Sequence, residues 1–189
     1  MHNNILPKYF LFVDCYDKKK LDHPIVNLGI IYRNYSKYQS IEEALKIRSY
    51  CKKRKFKFYI SNNLKFAIKS KADGIYIPSF NNKLIINKFN LKKEFKIIGS
   101  AHNQIEIKRK KIQKCEAIFL SPIFKTNKKG NELGICKFNL LTLGNKNNFI
   151  ALGGINNSNK KCLKMLNIAG MAGIGYFKKK PAQKLGRFL

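Results

Sequence analysis

Short apolar runs alternate with longer amphipathic segments along most of the chain. Nearly continuous runs of Val, Ile, Leu and aromatic residues are typical of parallel strands that are buried on both faces. These runs predict eight strands, at Tyr9–Val13, Val26–Tyr32, Phe56–Ile60, Gly74–Ile77, Phe95–Ile98, Ala117–Leu120, Phe149–Leu152 and Gly173–Tyr176.

Several of the segments between these strands carry helical signals. Ile41–Lys52 has apolar residues at helical spacing and follows Ser40, a typical N-cap residue, with Glu43 three positions later. The alternation predicts an α/β fold, a compact (β/α)8 TIM barrel that occupies residues 1–189 as a single domain. Cys15–Pro24 is too short for an ordinary helix, so we expect a shortened first β-α-β connection. Further helices are predicted at Asn63–Lys71, Asn103–Gln113 and Asn159–Ile168.

Composition narrows the class of protein. With 189 residues, 44% of them hydrophobic, the chain can bury one sizeable core. No apolar run reaches the roughly 18 residues of a membrane helix, and the N-terminus lacks a signal-peptide pattern, so we expect no membrane partner. The five cysteines are scattered and never form a CxxC pair, which favours reduced thiols in a cytoplasmic protein over zinc or disulfides.

The net charge of +29 favours anionic ligands, either small phosphorylated metabolites or nucleic acid. Most basic residues are lysine, and lysine, asparagine and isoleucine become abundant together in AT-rich genomes, so mutational bias explains the charge equally well. The lysines are spread along the chain rather than gathered in one stripe, which makes nucleic-acid binding the minor interpretation. The sequence leaves the oligomeric state open, and a homo-oligomer is compatible with it.

Polar residues and glycines follow most of the predicted strands. Barrel enzymes carry their chemistry at the carboxyl ends of strands, where hydroxyl groups, basic side chains and glycine backbone can hold phosphate. The candidates are Arg33 after the second strand, Asn62 after the third, Ser100 after the fifth, Thr126 and Lys129 after the sixth, Gly153 and Gly154 after the seventh, and Gly173 and Gly175 at the eighth.

Each candidate also has a structural explanation. Arg33 could form an ion pair, Lys129 could be a solvated charge, and Asn62 could simply form a loop. Gly153-Gly154 could be only a tight turn. His102, which follows the fifth strand, is better explained as a residue bonded to backbone at the start of a helix than as a catalytic base.

Five short motifs lie on the strand ends in a definite order. They are Tyr32-Arg33, Ala72-Asp73-Gly74, Gly99-Ser100-Ala101-His102, Ser121-Pro122-Ile123-Phe124-Lys125-Thr126-Asn127-Lys128-Lys129 and Gly153-Gly154-Ile155. Together they resemble the motifs of the thiamine phosphate synthase/TenI family, and the likeness extends over most of the chain.

The resemblance implies a transferase that joins an aminopyrimidine diphosphate to a thiazole phosphate and releases pyrophosphate. In that family the pyrimidine diphosphate ionises first, so catalysis depends on stabilising the departing pyrophosphate. By motif match, Arg33, Asn62, Ser100 and Lys129 would contact pyrophosphate, with Arg33, Ser100 and Lys129 as the catalytic residues. Thr126 and the backbone at Gly154 and Gly175 would hold the thiazole phosphate.

The chain departs from the family pattern at the metal site. The positions of the family's magnesium carboxylates fall on Ser61-Asn62 and on Asn81, and no acidic residue of the chain occupies a matched position. Because Mg²⁺ prefers anionic oxygen ligands, we expect a Mg²⁺ cofactor to bind weakly. Three interpretations therefore stay open: a divergent synthase, an inactive barrel that binds a thiamine-pathway phosphate as carrier or regulator, and an RNA-binding protein.

Overall fold

Eight parallel strands form a closed barrel in chain order, with β8 hydrogen-bonded to β1. The computed structural model describes residues 6–35, 40–84, 89–127 and 130–173. The predicted (β/α)8 TIM barrel is confirmed. The strands are β1 (Tyr9–Val13), β2 (Leu28–Tyr32), β3 (Lys57–Ser61), β4 (Gly74–Ile77), β5 (Lys96–Ala101), β6 (Ala117–Leu120), β7 (Asn148–Leu152) and β8 (Gly170–Gly173).

Helices connect most of the strands and cover the outside of the barrel. In α2, α3 and α4 the N-cap side chains of Ser40, Asn63 and Asn103 accept a backbone N–H of the first turn, as their residue types predict. Among the described residues no helix is long and apolar enough to span a bilayer. The helices are α1 (Lys18–Leu21), α2 (Ile41–Arg54), α3 (Leu64–Lys69), α4 (Gln104–Ile112) and α5 (Gly134–Thr142), with a 3₁₀ helix at Lys160–Met165.

The first connection is short, as expected, because α1 comprises one turn. Two predicted elements near the carboxyl end of the chain differ in their bounds. The segment predicted as a helix at Asn159–Ile168 forms the shorter 3₁₀ helix. The last strand begins at Gly170, before the predicted Gly173–Tyr176, of which residues 174–176 lie outside the described part. Three of the four residues at Gly170–Gly173 are glycine or alanine, so they form no apolar run that would mark a strand.

Gly170 allows β8 to approach the segment before β1 closely. A Cβ atom at Gly170 would lie 2.3 Å from the carbonyl oxygen of Lys8, so only glycine allows β8 to pass the segment before β1. The N–H of the next residue, Met171, donates to that carbonyl at 2.8 Å. Close approach of backbone therefore closes the barrel.

Aromatic rings fill the barrel interior. Phe119 lies at the centre, with ring centroids 4.9 Å from Phe10, 6.2 Å from Phe12 and 5.4 Å from Tyr76. Tyr59 joins this cluster through Phe10, at 5.9 Å. The interior is a packed core, so a ligand can only be held above it, at the mouth formed by the strand ends.

The Phe119→Ala variant tests this core. Removing a fully buried ring that contacts three others should lower the free energy of unfolding by about 3–5 kcal/mol, measured by urea denaturation. Leu140→Ala is the control, because Leu140 is 71% exposed on α5, and it should change that free energy by less than about 0.5 kcal/mol. Similar losses in the two variants would contradict the packing described here.

Candidate functional site

Arg33 lies at the mouth, directly above the aromatic core. It follows β2, and its backbone N–H donates to the carbonyl of Val13, which continues the pairing of β2 with β1. Its guanidinium carbon is 4.4 Å from the ring centroid of Phe12 and 5.6 Å from that of Tyr35. Among the described residues Arg33 forms no ion pair with a carboxylate. Its N–H donors therefore stay available for an anionic ligand.

Two buried hydroxyl residues, Ser100 and Tyr76, lie beside Arg33. Burial raises the pKa of Tyr76 to about 12, while the interaction with the Ser100 side chain and the charge of Arg33 oppose that rise. The tyrosine therefore keeps its proton at neutral pH. The structure thus brings Arg33 and Ser100, two of the predicted residues, together with a third that the sequence did not reveal.

Ser61, which the sequence indicated only as part of the matched metal position, is a second additional residue of the site. It ends β3 on the same face as Tyr59, and its register partner on β4 is Tyr76. The side chain is 2% exposed, and its Oγ is the only buried side-chain nitrogen or oxygen in the described residues that lacks a hydrogen-bond partner. Buried polar groups are rarely left unsatisfied, so this hydroxyl is a candidate ligand contact.

Asn62 and Asn81 lie together at the ends of β3 and β4. Nδ2 of Asn81 donates to Oδ1 of Asn62 at 2.7 Å. Asn62 adopts φ of 62°, a left-handed conformation that asparagine tolerates, and its N–H donates to the carbonyl of Tyr76. The two positions where the resemblance places carboxylates are thus bonded directly to each other.

Lys110 of α4 supports the loop after β4 from beneath. Its side chain is fully buried, and Nζ donates to the carbonyls of Pro78 (2.7 Å) and Asn81 (3.1 Å) and to Oε1 of Gln113 (2.9 Å). Burial lowers the pKa of Lys110 to about 8. In the sequence it is indistinguishable from the many exposed lysines.

Gly153 and Gly154 pack against the loop that follows β6. A Cβ atom at Gly153 would lie 2.9 Å from Pro122 Cα, and one at Gly154 would lie 2.4 Å from the carbonyl oxygen of Phe124. Both glycines have positive φ, 96° and 72°. Their structural role is therefore to let β7 end against this loop. The same contact brings Thr126 near, its Cγ2 3.7 Å from the Cβ position of Gly153.

The remaining candidates divide into three groups. Gly173 is the last residue of β8, in register with Leu11 of β1. Lys129 and Gly175 lie outside the described residues. Nδ1 of His102 is 2.6 Å from the carbonyl oxygen of Ser121, which agrees with the structural explanation of this histidine.

The donor atoms of the mouth do not suit Mg²⁺. The described residues contain no group of three or more His, Cys, Asp or Glu side chains that could hold a metal ion. Oδ1 of Asn62, the atom of that amide able to coordinate a cation, already accepts from Asn81.

Three thiamine-phosphate synthases are similar to this chain in sequence. The thiamine-phosphate synthase of Prochlorococcus marinus strain AS9601 is 34% identical over 127 residues, 66% of this chain and 36% of the relative. That of P. marinus strain MED4 is 35% identical over 135 residues, 70% and 38% of the two chains. Thiamine-phosphate synthase 1 of Streptococcus pneumoniae strain R6 is 24% identical over 71% of this chain and 66% of its own. The chain thus spans less than two fifths of the Prochlorococcus proteins.

Solved structures and a family model complete the comparison. Thiamine phosphate pyrophosphorylase from Pyrococcus furiosus has a TM-score of 0.70 at 17% identity, covering 90% of this chain and 86% of its own. The protein of the same name from Bacteroides thetaiotaomicron reaches 0.61 at 14% identity, covering 95% and 89%. These likenesses concern the fold. The model of the family described as thiamine monophosphate synthase matches residues 27–177. Because that match covers most of the barrel, the chain belongs to the thiamine monophosphate synthase family.

Proposed function

We propose that this protein is a transferase of thiamine biosynthesis that acts like thiamine phosphate synthase. It joins an aminopyrimidine diphosphate to a thiazole phosphate and releases pyrophosphate. The observation that carries the proposal is the guanidinium of Arg33, which is held over Phe12 without a carboxylate partner among the described residues. Family membership supports this choice of substrates.

In this proposal the mouth stabilises the leaving group. The bond between the pyrimidine methylene carbon and the diphosphate oxygen breaks, its electron pair leaves with pyrophosphate, and the thiazole nitrogen then bonds to that carbon. Arg33 compensates the charge that develops on pyrophosphate, and Lys129 adds a second cation. Ser100, Tyr76 and Ser61 supply hydroxyl donors in a buried setting, where electrostatic interactions are strong.

Phosphate of the thiazole substrate is assigned to the opposite part of the mouth. Thr126 and the backbone of Gly154 and Gly175 bind it, with Gly153 and Gly173 as the glycines that leave room. Thr126 lies against Gly153, which supports this assignment. A larger residue at Gly154 would collide with the loop after β6, so the assignment is better tested at Thr126 than at the glycines.

The second candidate function is a barrel that binds a thiamine-pathway phosphate as carrier or regulator without turnover. It is favoured by the Asn62–Asn81 pair, which stands where the resemblance places metal carboxylates. The two functions separate in one assay, because a carrier or regulator binds a thiazole or pyrimidine phosphate yet forms no thiamine phosphate. RNA binding remains the minor alternative and predicts a steep salt dependence.

Arg33→Met tests the catalytic assignment. Loss of the guanidinium should lower kcat/KM for thiamine phosphate formation by about 10²–10³-fold, the range seen when one transition-state donor is removed. Chromatographic detection of thiamine phosphate is the measurement. Arg54→Met is the matched control, since Arg54 donates to the carbonyl of His23 away from the mouth, and it should retain activity. Full activity in Arg33→Met would refute the assignment.

Ser61→Ala separates ligand binding from stability. The Ser61 hydroxyl has no hydrogen-bond partner among the described residues, so its removal should not lower the melting temperature. Affinity for inorganic pyrophosphate, measured by calorimetry, should fall about three- to tenfold, the worth of one hydrogen bond.

Ser70→Ala provides the opposite pattern. Ser70 is equally buried, but its Oγ donates to the carbonyl of Ala67 at 3.2 Å at the C-terminal end of α3, which leads to the start of β4 rather than to the mouth. This variant should lose stability and keep its pyrophosphate affinity. If Ser61→Ala behaves like Ser70→Ala, the hydroxyl of Ser61 does not contact the ligand.

A further inference from the structure

Every polar group of Asn81 has a defined partner. Its N–H donates to the carbonyl of Pro78 at 3.1 Å, and its own carbonyl accepts from Nζ of Lys110 and from Nε2 of Gln113. Oδ1 accepts from the backbone N–H of Lys83 at 2.8 Å, while Nδ2 donates to Asn62. The residue is therefore fixed in position and in the orientation of its amide.

The orientation of the Asn81 amide determines that of Asn62. A backbone N–H can only donate, so the atom of Asn81 that faces Lys83 must be the oxygen. The NH₂ group of Asn81 then faces Asn62, whose side-chain oxygen must accept the hydrogen bond. The NH₂ group of Asn62 consequently keeps both hydrogens, with no protein acceptor for them in the described part of the chain.

Lys110 and Gln113 make this arrangement rigid. Both side chains are fully buried, they lie three residues apart at the end of α4, and they bond each other at 2.9 Å. Gln113 also donates to the carbonyl of Lys83 at 2.9 Å. The carbonyls of Pro78, Asn81 and Lys83 are thus held by buried donors of α4 and its C-cap residue.

We propose that this network orients the Asn62 amide as a hydrogen-bond donor to a phosphate oxygen, so that the mouth binds diphosphate without a metal ion. Asn81, Lys110 and Gln113 are positioning residues in this scheme. The proposal rests on the proposed function and deepens it. An amide coordinates cations through its oxygen and binds anions through its NH₂ group, and here the oxygen is occupied.

The test is calorimetric binding of inorganic pyrophosphate, once in EDTA and once with excess Mg²⁺. Wild-type protein should bind in EDTA. In Asn81→Asp, a carboxylate oxygen replaces the NH₂ group. The Asn62 amide must then reverse, so that its NH₂ group donates to the new carboxylate and its oxygen faces the ligand. Affinity in EDTA should fall at least about tenfold, the cost of a lost charge-assisted hydrogen bond, and Mg²⁺ should restore most of it.

Asn82→Asp is the matched control. Asn82 is exposed, follows Asn81 directly and lies outside the network. Its substitution therefore adds the same charge without reversing the Asn62 amide. It should lower the affinity less than about threefold, the size of a screened surface charge effect, and Mg²⁺ should not restore it. An equal loss in both variants would overturn the proposal, because charge alone would then explain it.

A second variant keeps the test decisive if Asn81→Asp does not fold. Asn62→Asp retains an oxygen for Asn81 and replaces only the NH₂ group, so its melting temperature should be close to that of the wild type. It should show the same loss in EDTA, and unchanged affinity in this variant would overturn the proposal. Wild-type binding that requires Mg²⁺ would overturn it while leaving the diphosphate site intact. No pyrophosphate binding under either condition would overturn both this proposal and the proposed function.

Discussion

Arg33, Ser61 and Ser100 are positioned by the packed side chains that fill the barrel interior. Side chains of a strand alternate between its two faces. The residue two positions after a buried inward side chain therefore also points inward, one layer nearer the mouth. On β3 this step leads from Tyr59 to Ser61, and on β5 it leads from Ile98 to Ser100. After Ile31 of β2 it leads to Arg33, whose cation lies on the face of a ring in that core.

The sequence predicts the barrel well because its signal is local. Apolar runs mark the buried strands, and Ser40 and Asn103 mark helix starts, so those elements could be placed without tertiary information. The start of the eighth strand was misplaced because Gly170–Gly173 has only one large side chain, Met171, and its strand conformation depends on backbone neighbours. A hydrophobic pattern contains no information about such a close approach of backbone atoms.

The candidate site was only partly predictable for a related reason. Arg33 and Ser100 could be selected by residue type at a strand end, whereas Tyr76 resembles an ordinary core residue and Ser61 was matched only to a metal position. Their roles depend on burial and on the presence or absence of a partner atom, which are tertiary properties. Lys110 shows the same limit, because only the fold distinguishes one buried ammonium among many lysines.

The contact between Gly153-Gly154 and the loop after β6 also constrains how this protein can evolve. The carbonyl oxygens of Phe124 and Lys125 would lie 2.4 Å and 2.6 Å from a Cβ atom at Gly154, so neither segment can change its backbone path alone. An insertion or deletion in the loop would have to preserve that approach. The two segments, about thirty residues apart in the chain, are therefore coupled, so a change of backbone in one requires a compensating change in the other.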